Sequence, residues 1–370
     1  MTIKRDLLRT KFFAPSLRAD LVARPRLLAQ LEEGLRQRRP LTLISAPAGY
    51  GKTTLTVTWL QQHETQSVGP HFHVAWVSLD DDDDNPNRFF ACLAAAIQEA
   101  GVNWAPPNPH VWEFTDSPPV KTILTSLLNE LNEFAGQASL ILVLDDYHRI
   151  RSPVIHEALQ FAVDHAPPNL HIILITREDP PLTLARWRAR AQLTEIRAAD
   201  LRFNPQEAAG FLAQTMALHL SADQIVALET RTEGWVAGLQ LAALALKSTR
   251  PETGQSTEAF ITSFGGSHHY IIDYLMDEVL RRQDDTVRDF LRYTSVLERL
   301  CPSLCDAVSG HTDGRERLTQ LEHANAFLIP LDNQREWYRY HHLMADSLQA
   351  GLDPQTRDIA HRRASQWHEA

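Results

Sequence analysis

Leu41–Thr54, LTLISAPAGYGKTT, decides the fold of this chain. An apolar run suited to a buried strand passes into a glycine-bearing turn, and a lysine and two threonines then open a helix. This is the layout of a P-loop. Backbone N–H groups around Gly49–Lys52 and the N-terminal end of the helix present donors and positive partial charge to phosphate oxygens. Lys52 bridges the β- and γ-phosphates, and the Thr53 hydroxyl can ligate Mg²⁺. The cofactor-binding candidates here are Ala48, Gly49, Tyr50, Gly51, Lys52, Thr53 and Thr54, with ATP or ADP as ligand. One position departs from the usual pattern: Ala46 stands where a glycine normally opens the loop, so the chain must turn there without a positive φ.

A second motif lies downstream on its own strand. The run ILVLDDYH within Leu140–His148 puts Asp145 at the carboxyl end of an apolar strand, where its carboxylate can hold the Mg²⁺ water shell. Asp146 beside it could polarise the attacking water. An isolated Asp-Asp pair also suits a solvated loop; following a P-loop, at the end of a buried strand, it reads as metal and hydrolysis chemistry. A third strand, Leu170–Thr176, ends in Arg177, whose guanidinium could reach a γ-phosphate as a sensor. It could equally be a surface arginine paired with Glu178 or Asp179, and the residues alone leave both open.

The chain has 370 residues, 44% of them apolar, a length that predicts two or three domains. No apolar run is long enough to span a bilayer, and the N-terminal MTIKRDLLRTKFF lacks the apolar core of a secretory signal, so a cytoplasmic location is expected. Cys92, Cys301 and Cys305 cannot form a disulfide framework, and Cys301 and Cys305 read as helix-face packing. The adjacent pairs His268-His269 and His341-His342 should diverge in regular structure and so offer no metal site. A net charge of −10 argues against the chain gripping nucleic acid by itself. The acidic run Asp80–Asp84 reads as a solvated turn that caps the helix from Pro86.

Strand patterns at Leu41–Ser45, His73–Leu79, Leu140–Leu144, Leu170–Thr176 and Leu193–Arg197 alternate with helices beginning near Lys52, Asn87, Lys121 and Val154. A proline-rich loop covers Trp104–Pro119. That alternation predicts an α/β P-loop NTPase whose parallel sheet is covered on both faces, and the intervening βα unit suits the additional-strand type. After Ala199 only helical spacing continues, starting with the N-cap and first-turn proline of Asn204-Pro205-Gln206-Glu207. Arg250–Ser267 is the linker candidate. From Thr286, helix signals at Val287–Leu297, Ser303–Val308 and Arg315–Ala324 precede two short runs, Ala326–Leu331 and Trp337–His341. Three helices and a hairpin suggest a winged-helix module, with an unspecialised helical cap as the plainer alternative. Pro354–Ala370 is a helical pattern without a C-cap or terminal breaker, so further chain is expected beyond it.

These residues together resemble the nucleotide-binding and oligomerisation region of STAND signal-transduction ATPases, the branch of the maltose-regulon activator MalT and the large ATP-binding LuxR-type regulators. The strings carrying the resemblance are TKFFAPSLRADLVARPRLLAQL, SAPAGYGKTTL, SLDDDDDNPNRFF, LVLDDYHRI, ITREDPPLTLARWRARAQLTEIRAADLRF, TEGWVAGLQLAALAL and WYRYHHLMADSL. The resemblance implies a nucleotide-binding domain over 1–200, whose first 38 residues contribute to the adenine side, a helical domain over 201–285 and a winged-helix domain over 286–370. A helical-repeat sensor and an effector would follow. It implies a slow ATPase working as a switch, closed with ADP and self-associating with ATP when inducer binds elsewhere. Lys52 and Thr53 take phosphate and Mg²⁺, Asp145 and Asp146 metal and hydrolysis, and Arg177 the sensor place. His341 matches a winged-helix histidine that reaches the ADP β-phosphate; as a bare residue it reads as a packed hairpin-end histidine. Val22 and Arg24 fall where adenine-side contacts are placed, though a helix start with Pro25 in its first turn explains them as well. Trp235-Val236-Ala237-Gly238 departs from the related eukaryotic-type switches, which carry a proline against the adenine. Two other classes remain: a high-turnover P-loop kinase or motor ATPase, and a DNA-binding regulator acting through the winged helix. Charge opposes the second.

Overall fold

The computed structural model describes residues 7–18, 20–65, 72–102, 104, 120–133, 139–249 and 257–369. Contacts divide the chain into two units. The first comprises Met1–Arg18, Arg24–Ala46 and Lys52–Asp200, and the second Ala19–Ala23, Pro47–Gly51 and Leu201–Ala370. Most of the expected Trp104–Pro119 loop lies outside the described residues, as does the first part of the Arg250–Ser267 linker.

The first unit is built on a parallel sheet of five strands: β1 (Leu41–Ser45), β2 (Phe72–Ser78), β3 (Ser139–Asp145), β4 (Leu170–Thr176) and β5 (Leu193–Arg197). Their order across the sheet is β2-β3-β4-β1-β5. β4 therefore stands between the P-loop strand and the strand that ends in Asp145, which is the additional-strand arrangement. Every residue of β1 and β4 is buried, and only Ser139 of β3 is not, as expected of parallel strands covered on both faces. The covering helices include Pro25–Arg36, Lys52–Thr65, Pro86–Glu99, Val120–Glu133 and Pro153–Asp164. Proline at the first helical position starts three of them, where its missing N–H costs nothing.

The acidic run corrects the expectation of a solvated turn. Asp81–Asp84 forms a 3₁₀ turn, and Asn85 caps the following helix by accepting the N–H of Arg88 at 3.2 Å. Asp83, however, has no solvent exposure: it pairs with Lys11 and, at 3.1 Å, with Arg88. Lys11 also reaches Asp80 at 2.9 Å. Asp84 accepts the N–H groups of Arg151 and Ser152 at 2.6 and 2.7 Å. The run is a clamp on the N-terminal segment and on the chain beyond β3, because a buried carboxylate must find cations and donors.

Among its described residues the second unit is helical apart from one hairpin. Asn204 and Glu207 make a reciprocal capping box at the start of helix Pro205–Gly210. Helices Ala222–Thr232, Val236–Thr249, Thr257–Ser263 and His269–Glu278 follow. The expected linker is thus helical over its Thr257–Ser263 portion, where Phe260 and Ile261 are buried. Helices Asp285–Thr294, Pro302–Ser309 and Gly314–His323 then precede the antiparallel pair β6 (Leu328–Pro330) and β7 (Tyr338–Tyr340), the three-helix-and-hairpin pattern of a winged helix. Helices His342–Ala350 and Pro354–Glu369 complete the described chain. Cys301 and Cys305 are buried free thiols, the first at the N-cap of helix Pro302–Ser309 and the second on it. The rings of His268 and His269 do not diverge but stack at 4.6 Å, because His268 is an extended N-cap rather than a helical residue. Among the described residues no helix is long and apolar enough to cross a membrane, and no cluster of three or more His, Cys, Asp or Glu suits a metal.

Candidate functional site

In the first unit, β1 delivers Ala46 and the helix beginning at Lys52 delivers the cation. Ala46 has no positive φ, as its Cβ requires, and its carbonyl accepts the Lys52 ammonium at 2.8 Å. Lys52 is buried. Thr53 and Asp145, 92 residues apart in sequence, meet here: the Thr53 hydroxyl lies 3.2 and 3.1 Å from the two Asp145 carboxylate oxygens. Two oxygens bound side by side to one Mg²⁺ at about 2.1 Å stand roughly 3 Å apart, so this pair fits that ion's oxygen-rich, octahedral demand. Burial, and then the neighbouring Asp146 charge, push Asp145 up to about 6, a carboxylate that would gain from a nearby cation. Its Oδ1 accepts the Asp146 N–H at 3.0 Å. Asp146 is left-handed, with φ 57°, and half-buried at the end of β3, with its carboxylate 3.8 Å from His148 Nδ1.

Arg177 follows β4 directly, at the same end of the sheet as Asp145. Of the surface partners the sequence offered it, Asp179 is engaged elsewhere, pairing with Arg197 and accepting the Ser45 hydroxyl at 3.0 Å. Arg24 is buried at the N-cap of helix Pro25–Arg36.

In the second unit, Pro47–Gly51 is held by residues that sequence reasoning did not single out as ligands. Gly49 and Gly51 both have φ 76°, a conformation L side chains resist. The Trp235 indole N–H donates to the Ala48 carbonyl, and the Ala237 N–H to the Gly49 carbonyl, both at 3.0 Å. A Cβ on Gly49 would stand 2.5 Å from that of Ala237. Trp235 is fully buried and packs edge-on against Tyr274, Phe327 and His341 at 5.3, 5.1 and 6.0 Å. Tyr50, also buried, lies 6.2 Å from Phe327. Val22 packs over Gly210.

His341 is buried beside Thr232 and Leu343. Its Nε2 faces the Thr232 carbonyl at 3.0 Å and its Nδ1 faces the Leu343 N–H at 3.3 Å. A carbonyl can only accept and an amide only donate, so the ring is the neutral Nε2–H tautomer with both nitrogens spent on protein. Burial holds its pKa down to about 4 despite nearby Glu233. This arrangement is that of a packed hairpin-end histidine, the plainer of the two readings the sequence offered.

Beside it Glu233, left-handed at φ 48° and 8% exposed, ends helix Ala222–Thr232. Arg339 of β7 binds it through two parallel bonds of 2.8 Å, and it also accepts the His342 N–H at 2.9 Å. Arg202 stands 3.4 Å away. Burial would raise its pKa, yet the paired Arg339 guanidinium and the His342 amide help bring it down to about 2. The only sequence signal for this arrangement was the helix stop Glu233-Gly234, which marks a turn without naming its partner.

The MalT winged helix domain family matches residues 276–360, and the AAA domain family matches residues 35–179. The HTH-type transcriptional regulator MalT of Yersinia enterocolitica is 36% identical over 343 residues, covering 92% of this chain and 36% of that protein. The chain belongs to the MalT-like STAND ATPases. The serine/threonine-protein kinase PknK of Mycobacterium tuberculosis is 34% identical over 361 residues, covering 97% of this MalT-like chain and 31% of the kinase. The chain thus spans about a third of the length of these curated relatives. Among solved structures, a Walker-type ATPase of Pyrococcus abyssi shares the fold at a TM-score of 0.60 and 16% identity, covering 91% of this chain and 98% of that one. The MalT-like core therefore combines a P-loop ATPase sheet, helical segments and a winged helix.

Proposed function

We propose that this chain is the ATP/ADP switch core of a bacterial signalling or transcription regulator. ADP marks the closed resting state, inducer acting on a part of the protein beyond these residues permits exchange for ATP, and the ATP state self-associates. Slow hydrolysis resets it. The observation that carries the nucleotide reading is the Thr53 hydroxyl set against the buried Asp145 carboxylate. Mg²⁺ bound there would supply positive charge to the phosphates. Lys52 would neutralise them, Thr53 and Asp145 would hold the ion, Asp146 would polarise the attacking water, and Arg177 would distinguish tri- from diphosphate. Arg24 and Val22 serve the adenine side. The working domains are 1–200, 201–285 and 286–370, in a cytoplasmic protein whose winged helix packs inward rather than onto DNA. The acidic charge and the ion-paired Arg339 support that orientation.

Purified protein denatured and assayed for released nucleotide tests this, with Lys52→Ala alongside. Stoichiometric ADP from the natural chain and none from the variant is the expected result. An empty site together with rapid steady turnover of Mg²⁺-ATP would overturn the switch and leave an ordinary catalytic ATPase.

A further inference from the structure

Trp235 and Ala237 bind carbonyls of the phosphate loop, and the consequence follows from peptide geometry. A trans peptide is planar and directs its C=O and N–H oppositely, and the chain contains no cis peptide among its described residues. The bond from Trp235 to the Ala48 carbonyl therefore orients the Gly49 N–H, and the bond from Ala237 to the Gly49 carbonyl orients the Tyr50 N–H. Both amides belong to the phosphate cradle, and both face away from the residues that pin them. The support is rigid. Helix Ala222–Thr232 stops at left-handed Glu233 and Gly234, and the Gly234 carbonyl accepts the Phe203 N–H at 2.8 Å. The next helix begins at Val236, so the Ala237 amide is a first-turn donor with no partner within its own helix. Gly49 is enclosed: an added Cβ would lie 2.5 Å from Ala237, 2.8 Å from the Tyr274 hydroxyl and 3.0 Å from the Trp235 nitrogen.

We propose that Trp235 is a positioning residue for phosphate binding, aiming the Gly49 and Tyr50 amides from outside the loop, so that phosphate occupancy and the aromatic packing around Trp235 stabilise one another. This deepens the nucleotide reading above and rests on it. The coupling is reciprocal by necessity: whatever Trp235 contributes to phosphate affinity, phosphate returns to the Trp235 packing. Phe327, which precedes β6, and His341, which follows β7, touch the same indole, so the loop's state is legible to the winged-helix segment.

The test is calorimetric titration of nucleotide-free protein with ADP and, separately, adenosine, for the natural chain and Trp235→Phe, which keeps an aromatic ring and removes the N–H. ADP affinity should fall about fivefold to tenfold, the worth of one net hydrogen bond, while adenosine affinity holds. Equal ADP affinity in the two proteins, or equal losses for ADP and adenosine, would overturn the positioning role. Failure of the natural chain to bind ADP at all would instead remove the nucleotide reading. Should Trp235→Phe not fold, hydrogen exchange on the natural chain still decides: ADP should protect residues 230–240 along with the loop, and protection confined to the loop would refute the coupling.

Discussion

Glu233→Gln removes one charge from a buried carboxylate that accepts three hydrogen bonds, while keeping its shape. The usual carboxyl pKa of 4.5 is brought to about 2, which corresponds to about 3 kcal/mol in favour of the folded, ionised form. Breaking a buried pair by removing one partner costs about 3–5 kcal/mol; glutamine retains one acceptor for Arg339 or the His342 amide, so a loss of about 2–3 kcal/mol is expected. The sign follows from the direction: a depressed carboxyl stabilises above its unfolded pKa, and the contribution disappears as pH falls from 4.5 toward 2. Paired urea unfolding curves at pH 7.5 and 3.5 should therefore show the full deficit at the higher pH and a smaller one at the lower. Hydrogen exchange should place the loosening at His342 and Leu343, beside the bond that is weakened. A deficit below about 1 kcal/mol at pH 7.5, or one equal at both pH values, would show that the Glu233–Arg339 pair is not the tie between helix Ala222–Thr232 and β7 that the geometry indicates.

Two further outcomes follow from the same physics. Lys11→Met leaves fully buried Asp83 with Arg88 as its remaining ion partner and should cost about 3 kcal/mol in the first unit by urea unfolding; an unchanged midpoint would contradict the clamp. His341 and His171 are both held down to about 4 by burial, so the folded chain binds fewer protons than the unfolded one between pH 6.5 and 4. Stability should be full above 6.5 and fall by roughly 3 kcal/mol per histidine on acidification to 4. His341→Gln should flatten that slope, and an acid slope unchanged in the variant would count against the neutral ring.

The central strands were legible because parallel strands buried on both faces must be largely apolar, whereas the edge strands β2 and β5 are buried only in part; observed ends differ from the expected ones by one residue at each end of β2 and β3. The P-loop and the Asp145 strand end were legible because a glycine-lysine-threonine loop after a strand and an apolar run ending in a carboxylate are both local patterns. Glu233 drew no reading from the sequence and Trp235 was noted only as a departure from an adenine-side proline, because their partners lie 106 and 187 residues away. Asp83 was misread because a run of aspartates resembles a solvated turn until Lys11, 72 residues earlier, is brought against it. His341 was legible only as two alternatives, and the Thr232 carbonyl and Leu343 amide that face its ring nitrogens belong to the packed hairpin-end one.

By itself the sequence determined the α/β P-loop class and the succession of helices and hairpin, both of which depend on local period and spacing. Only the tertiary structure decided the strand order, the burial of Asp83, the neutral state of His341 and the grip of Trp235 on the loop. Those depend on which distant groups desolvate one another, and short-range pattern carries no record of that.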